Sequence, residues 1–179
     1  VSVAAGDTFA LAASQDGYVW AWGQNISGSL GLNIDTSSIG SYPTPQWVRG
    51  ADGTGYLGDE RTGKVIKVFA FGNSAAALTE KGELYVWGGN EFDRLGARRG
   101  KLNYGYPQKV PGLNHVQEVY ISGHNMIILT EGTEIWVAGD RNTHINGWGK
   151  NEEIMTQAEP GVTTSVFPLP MLNNTQTAY

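Results

Sequence analysis

The sequence of 179 residues contains no cysteine. Disulfide bonds, thiolate metal sites and cysteine nucleophiles are therefore excluded, and the cellular compartment stays open. Charged residues make up only 16% of the chain, and the net charge at pH 7 is −5. A chain of this charge does not attract nucleic acid over its whole surface, so nucleic acid is not an expected partner. No apolar run approaches the ~20 residues of a membrane-spanning helix, so membrane insertion is not expected.

Glycine, by contrast, is plentiful. There are 25 glycines, and hydrophobic residues make up 40% of the chain. This composition favours an all-β structure in which short strands are joined by tight turns. The chain begins at Val1 within a strand-like pattern and without a basic-then-apolar leader, so we expect a mature or excised piece.

One phrase occurs three times along the chain. A run of small residues opened by glycine is followed by a turn glycine, an aromatic strand that ends in Trp-Gly or Ala-Gly, and a glycine-closed loop. The recurring strand positions are Trp20, Trp22 and Gly23, then Tyr85, Trp87 and Gly88, then Trp136 and Gly139. Self-similarity at a spacing of about fifty residues indicates a repeat architecture in which each unit stacks on its neighbours. We therefore interpret these residues as the structural core of the repeats.

The local patterns predict how each repeat is built. Asp16-Gly17 and Lys81-Gly82 lie between apolar runs and predict two-residue hairpin turns. The aromatic strand has no polar face, which predicts a middle strand covered on both sides. The segment that returns after it contains Pro43 and Pro45 in the first copy and Pro107 and Pro111 in the second, which is typical of an edge strand.

These residues together resemble the regulator-of-chromosome-condensation repeat family, whose members fold as β-propellers of four-stranded blades, usually seven. The resemblance implies about three blades, at approximately residues 1–64, 65–115 and 116–168, with a tail or arm at 169–179. The third copy departs from the pattern because it has Ala138 where the others have tryptophan before glycine. Three blades form an incomplete propeller, so we expect either part of a larger propeller or completion by neighbouring subunits.

Two loop regions and one tryptophan are the candidate partner contacts. The first repeat is longer than the second, and the excess falls between Asn33 and Lys64, where variable rim loops carry binding residues. A cluster of basic residues lies within the second repeat, after its aromatic strand, in an otherwise acidic chain. Ordinary solvated loops are the alternative interpretation of both regions. The candidates are Tyr42, Trp47, Arg49, Tyr56 and Arg61 in the first region, Arg94, Arg98, Arg99 and Lys101 in the second, and Trp148 for ligand stacking.

No catalytic, cofactor-binding or metal-binding residue is predicted. Gly53 to Gly58 spells G-x-G-x-x-G, but the glycine-broken segment that follows is too short for the helix of a dinucleotide site. The histidines at 115, 124 and 144 lack the spacing of metal ligands. We therefore expect no cofactor and no small-molecule substrate.

The sequence thus favours a non-enzymatic binding or scaffold module whose partners are proteins or neighbouring subunits. A structural component of a secreted, surface or particle-borne assembly is the first alternative, and the cysteine-free, lysine-poor composition is compatible with it. Exchange-factor activity toward a small GTPase, which the family resemblance implies, is the second alternative.

Overall fold

The computed structural model describes residues 1–98, 100–131, 134–140 and 167–168, the last pair as backbone alone. The described residues form twelve β-strands and two single-turn 3-10 segments, Ile26–Gly28 and Glu91–Asp93. Among them no helix is both long and apolar enough to cross a bilayer. The all-β expectation is confirmed.

Three antiparallel sheets of four strands follow one another along the chain. The first contains β1 (Ser2–Ala5), β2 (Phe9–Ala13), β3 (Val19–Gln24) and β4 (Ser41–Trp47), paired in chain order. The second contains β5 (Val65–Phe71), β6 (Ser74–Thr79), β7 (Leu84–Gly89) and β8 (Asn103–Lys109), also in chain order. The third contains β9 (Val116–Ile121), β10 (Asn125–Thr130), β11 (Ile135–Gly139) and β12 (Phe167–Pro168). The aromatic strand is a middle strand in each sheet, and the proline-containing β4 and β8 lie at sheet edges.

The hairpin turns between the second and third strands differ from the prediction. The amide of Ser14 donates to the carbonyl of Tyr18 (2.9 Å), and the amide of Gly17 donates back to the carbonyl of Ser14 (3.0 Å). In the first two sheets this loop therefore has three residues, a type I turn followed by a left-handed glycine, rather than two. Gly17 has φ +93° and Gly82, in the same loop of the second sheet, has φ +72°. The glycine was correctly expected to take positive φ, but the loop is one residue longer because the glycine follows the turn.

The glycine near the end of each aromatic strand is required by a close backbone approach. A Cβ on Gly88 would lie 2.1 Å from the carbonyl oxygen of Asn73, and one on Gly139 would lie 2.1 Å from that of His124. In each case the same carbonyl accepts a hydrogen bond from the residue after the glycine, Gly89 or Asp140, at 2.9 Å. The Trp-Gly repeat thus encodes a fixed contact between the third strand and the first hairpin of its own sheet.

Trp87 joins the first sheet to the second. Its ring is fully buried, and its Nε1 donates to the carbonyl of Ser29 in the loop that follows β3 (2.9 Å). A Cβ on Gly31 would lie 3.0 Å from the same Nε1, so this loop leaves room for the indole. The second sheet is the best covered, since every residue of β6 and β7 is buried.

The expected core aromatics are not equally buried. Trp22 occupies in the first sheet the place of Trp87, because Ala10 pairs with Trp22 as Ala75 pairs with Trp87. Trp22 and Trp20 are nevertheless only half-buried. The prediction that both faces of this strand are covered is wrong for β3. No described sheet packs on the face that carries Trp20 and Trp22. Trp136 in the third sheet is also half-buried.

Candidate functional site

The longer first repeat folds back on its own edge strand. Leu57 donates its amide to the carbonyl of Val48 (3.0 Å), and Arg49 pairs with Tyr56 in an antiparallel bridge. This short ladder places the Tyr56 ring against Trp47, with centroids 4.5 Å apart and the planes at 86°. Two residues nine positions apart in the sequence are thereby brought into contact.

Trp47 is the centre of an aromatic cluster. Its ring stacks on Tyr18 at 5.3 Å with an interplanar angle of 8°. It meets Trp20, its cross-strand partner, edge-on at 5.2 Å and 77°. Arg49 lies over the Tyr56 ring, with its guanidinium carbon 5.4 Å from the ring centroid. Offset and edge-on contacts of this kind hold the rings in place beyond their apolar burial.

These side chains line an open groove of about 460 Å³ along β4, hereafter the outer-edge groove. Four predicted contact residues belong to it. Trp20, predicted only as repeat core, also lines it, and Leu32, Ile34, Pro45 and Gln46 were missed. The lining residues are Trp20, Leu32, Ile34, Tyr42, Pro45, Gln46, Trp47, Arg49 and Tyr56.

Trp47 occupies a position of the edge strand that is exposed to solvent in both of the first two sheets. Trp47 is 37% exposed. The same place in the second sheet is occupied by Lys109, since Tyr85 pairs with Lys109 as Trp20 pairs with Trp47. The Lys109 side chain is 46% exposed although its sheet is covered on both faces. A large aromatic ring at this place is therefore not explained by core packing.

Arg61 lies beside the outer-edge groove but does not line it. Its guanidinium donates to Asp59 (2.8 Å), Asp52 (3.0 Å) and the carbonyl of Thr54 (2.9 Å). Partial burial acts to raise the pKa of Asp59, but hydrogen bonds from Arg61 and from backbone amides lower it overall. The Thr54 hydroxyl and amide lower the pKa of Asp52. The network closes the loop of residues 50–63, so the structure gives Arg61 a structural role there.

The G-x-G-x-x-G segment lies in this same loop. Gly53, Gly55 and Gly58 all have positive φ, at +77°, +59° and +104°. The described residues that follow enter β5 and form no helix, so the segment lacks the helix N-terminus that a dinucleotide site needs.

The basic cluster is divided by the structure. Arg98 and Lys101 are exposed, with the Lys101 ammonium 5.4 Å from the Tyr104 ring centroid. Arg94, predicted with them as a surface contact, is 6% exposed. Its Nε donates to Ser74 Oγ (2.8 Å) and its Nη1 donates to the carbonyl of Gly123 (2.8 Å) in the third sheet. Arg94 is therefore a buried connection between sheets and not an exposed contact; Arg99 and Trp148 lie outside the described residues.

Arg94 occupies the contact that an indole supplies elsewhere. Ala138 has the place of Trp87 in the third sheet, since Met126 pairs with Ala138 as Ala75 pairs with Trp87. Because no large ring is present there, the Arg94 guanidinium of the second sheet reaches the Gly123 carbonyl of the third. The same guanidinium pairs with Glu91, with Nη2 and Oε2 2.5 Å apart. Burial lowers the pKa of Arg94, and Glu91 opposes that effect.

The described histidines do not converge on a metal site. His124 packs against Phe92 with ring centroids 4.7 Å apart. His115 Nδ1 lies 3.5 Å from Glu131 Oε2. Among the described residues no three of histidine, aspartate, glutamate or cysteine form a group suited to a metal ion. His144 lies outside the described part of the chain.

Two models of one repeat match the sequence. Both are described as the Regulator of chromosome condensation (RCC1) repeat, and they match residues 1–29 in one case and residues 16–78 and 81–129 in the other.

Several known proteins are similar to this chain over most of its length. Protein pim1 of Schizosaccharomyces pombe is 26% identical over 86% of this chain and 29% of its own length. The E3 ubiquitin-protein ligase HERC2 of Mus musculus is 28% identical over 86% of this chain and 3% of its own length. The structure of yeast Prp20 bound to Kap60 superposes with a TM-score of 0.67 at 21% identity, over 93% of this chain and 36% of that one. The chain thus covers between 3% and 36% of the length of these three proteins.

Proposed function

Because the chain belongs to the regulator of chromosome condensation (RCC1) repeat family, we propose that it is a non-enzymatic protein-binding module that uses its outer-edge groove for contact. The fold is that of an RCC1-type β-propeller, and the three described sheets are blades of it. The Trp47 ring cluster, open to solvent at a place where packing does not require it, carries the proposal. Exposed Trp, Tyr and Arg side chains held rigidly together are the residues that dominate protein interfaces.

The structural neighbours support a protein partner. A second structure of Prp20, from Saccharomyces cerevisiae, was determined with a study of its binding to Gsp1p and histones, and the first contains Kap60. Both Prp20 structures are less than 25% identical to this chain, so they guide the class of partner rather than its identity. The ligase activity of HERC2 belongs to a protein of which this chain spans 3%.

Neither alternative from the sequence gains a specific observation. The relatives reported above do not include a particle or virion protein, and the described residues contain no arrangement that assigns exchange-factor activity. The binding-module proposal is therefore the one that the geometry favours.

The test compares two variants that each install a residue already used at the equivalent place of another blade. Trp47→Lys copies Lys109 of the second blade and removes the groove's central ring. Phe92→Ser copies Ser27 of the first blade and removes an aromatic ring that is 54% exposed and does not line the groove. Trp47→Lys loses the ring contacts to Tyr18, Trp20 and Tyr56, and Phe92→Ser loses the contact to His124. Circular dichroism and thermal melting therefore first establish that each variant is folded.

Wild type and both variants are used as immobilised bait for proteins from cells that express the chain, with quantitative mass spectrometry of what is retained. We expect proteins retained by wild type and Phe92→Ser to be lost with Trp47→Lys. An identical retained set for all three would contradict the proposal, since the groove would then contribute nothing to binding.

A further inference from the structure

The outer-edge groove offers hydrogen-bond donors on aromatic rings. Four lining side chains carry an indole N–H or a phenol hydroxyl, and within the described part of the chain none of these four groups makes a hydrogen bond. The donors are Trp20 Nε1, Trp47 Nε1, Tyr42 Oη and Tyr56 Oη. Buried or half-buried groups of this kind gain when a ligand supplies acceptors.

Side-chain acceptors are few by comparison. The Gln46 amide nitrogen is already used, since it donates to the carbonyl and the hydroxyl of Thr44 at 3.1 and 3.2 Å. The Gln46 amide oxygen and the phenol oxygens are the remaining side-chain acceptors of the lining. A ligand that matches this wall has flat apolar surfaces, free carbonyl groups and few N–H or O–H donors of its own.

The groove also carries one charge. Arg49 is the only charged residue of the lining, and it has no carboxylate partner among the described residues. Its position over Tyr56 leaves the guanidinium N–H groups able to donate to an anion. The matching ligand therefore carries an acidic group beside its apolar part.

We propose that the outer-edge groove binds a proline-rich protein segment in the polyproline II conformation, with an acidic side chain directed at Arg49. Such a segment has no internal hydrogen bonds, so its carbonyls are free to accept from the indoles and phenols. Its prolines have no N–H to satisfy and dock against aromatic walls. A glycan, which also stacks on aromatic rings, fits less well because each of its hydroxyls brings a donor that needs an acceptor.

This inference rests on the proposed function, since it names the class of partner for the same groove. The probe is a fluorescein-labelled proline peptide with one central glutamate, followed by fluorescence anisotropy with the full chain up to about 1 mM. Two further peptides serve as controls: the same peptide with lysine at the centre, and a Gly/Ser peptide that keeps the glutamate. A chito-oligosaccharide is added as a competitor.

We expect the proline–glutamate peptide to bind wild type and Phe92→Ser equally. Trp47→Lys should weaken binding at least about 30-fold, the effect of losing an interface anchor. The added lysine attracts the acidic peptide, so a loss cannot come from charge repulsion. Arg49→Gln should weaken binding about fivefold for the glutamate peptide alone, since only that peptide has an acid for Arg49 to meet.

Three outcomes would overturn the inference: no binding of the proline–glutamate peptide, equal binding of the Gly/Ser peptide, or full displacement by the oligosaccharide. If the proline–glutamate peptide fails to bind while Trp47→Lys still loses the proteins that wild type retains, the binding module stands and only the partner class is wrong. If Trp47→Lys changes neither readout, both proposals fail together.

Discussion

The strongest test of the repeat packing is Trp87→Ala, because this indole joins the first two blades. A buried tryptophan removes 150–250 Å² from water, which at about 25 cal/mol per Å² corresponds to about 4–6 kcal/mol. The alanine methyl retains a part of this, and the Ser29 carbonyl loses its Nε1 donor at a cost of about 1 kcal/mol. We therefore expect Trp87→Ala to lower the free energy of unfolding by about 4 kcal/mol, within the range for buried aromatic truncations.

The matched control is Trp22→Ala. Trp22 has the same residue type at the same register of the first blade, but it is only half-buried. We expect a smaller loss there, about 3 kcal/mol, since part of the Trp22 surface is already in water and no hydrogen bond to another blade is lost. Urea unfolding followed by circular dichroism measures both. Equal losses, or a loss below about 1 kcal/mol for Trp87→Ala, would show that contact between blades does not determine the stability of this strand.

Three further changes test other contacts. Arg94→Met should lower the free energy of unfolding by about 2–4 kcal/mol, because the second and third blades lose charge-assisted hydrogen bonds; an unchanged urea midpoint would refute this. Gly88→Ala should cost more than about 1 kcal/mol, since its Cβ meets the Asn73 carbonyl at positive φ; wild-type thermal stability would contradict it. Arg61→Met should lower the melting temperature at neutral pH. Because the folded pKa of Asp59 is lowered, that stabilisation is present above the ordinary value of 3.8 and disappears as pH falls below it. A difference between wild type and variant that is the same in acid as at neutral pH would contradict this assignment.

The fold was predictable because the geometry of each blade requires particular residue types at fixed positions of the repeat. Trp-Gly recurs since the glycine admits a backbone carbonyl, and that requirement leaves a trace at a fixed spacing in the sequence. The three-residue turn was not predicted, because Asp-Gly between apolar runs has the same appearance in either turn. The exposure of Trp22 was not predicted either, since it depends on which neighbouring sheet is present rather than on the strand itself.

The candidate site was predictable only in part. Tyr42, Trp47, Arg49 and Tyr56 were identified because they lie in the extra length of the first repeat. Trp20 was assigned to the core because its strand alternates, and only the register with β4 shows it beside Trp47. Alternation also puts Tyr18 on the same face as Trp20, a signal that could have found it.

Arg94 could not be predicted from composition. In the sequence it belongs to a basic cluster, and such clusters are usually solvated. Its burial follows from a gap at Ala138, which lies 44 positions further on. The two residues become related only when the blades stack.

The pairing of Arg94 with the small residue at 138 has a consequence for any rearrangement of the blades. A third blade grafted directly onto the first would bring Ala138 opposite Ser29, with neither an indole nor a guanidinium to occupy the space. The unit that can be exchanged without loss of packing is therefore a blade together with the contacting loop of the preceding blade. Duplication or recombination that cuts between them would leave a void, whereas a cut that keeps both would preserve the junction.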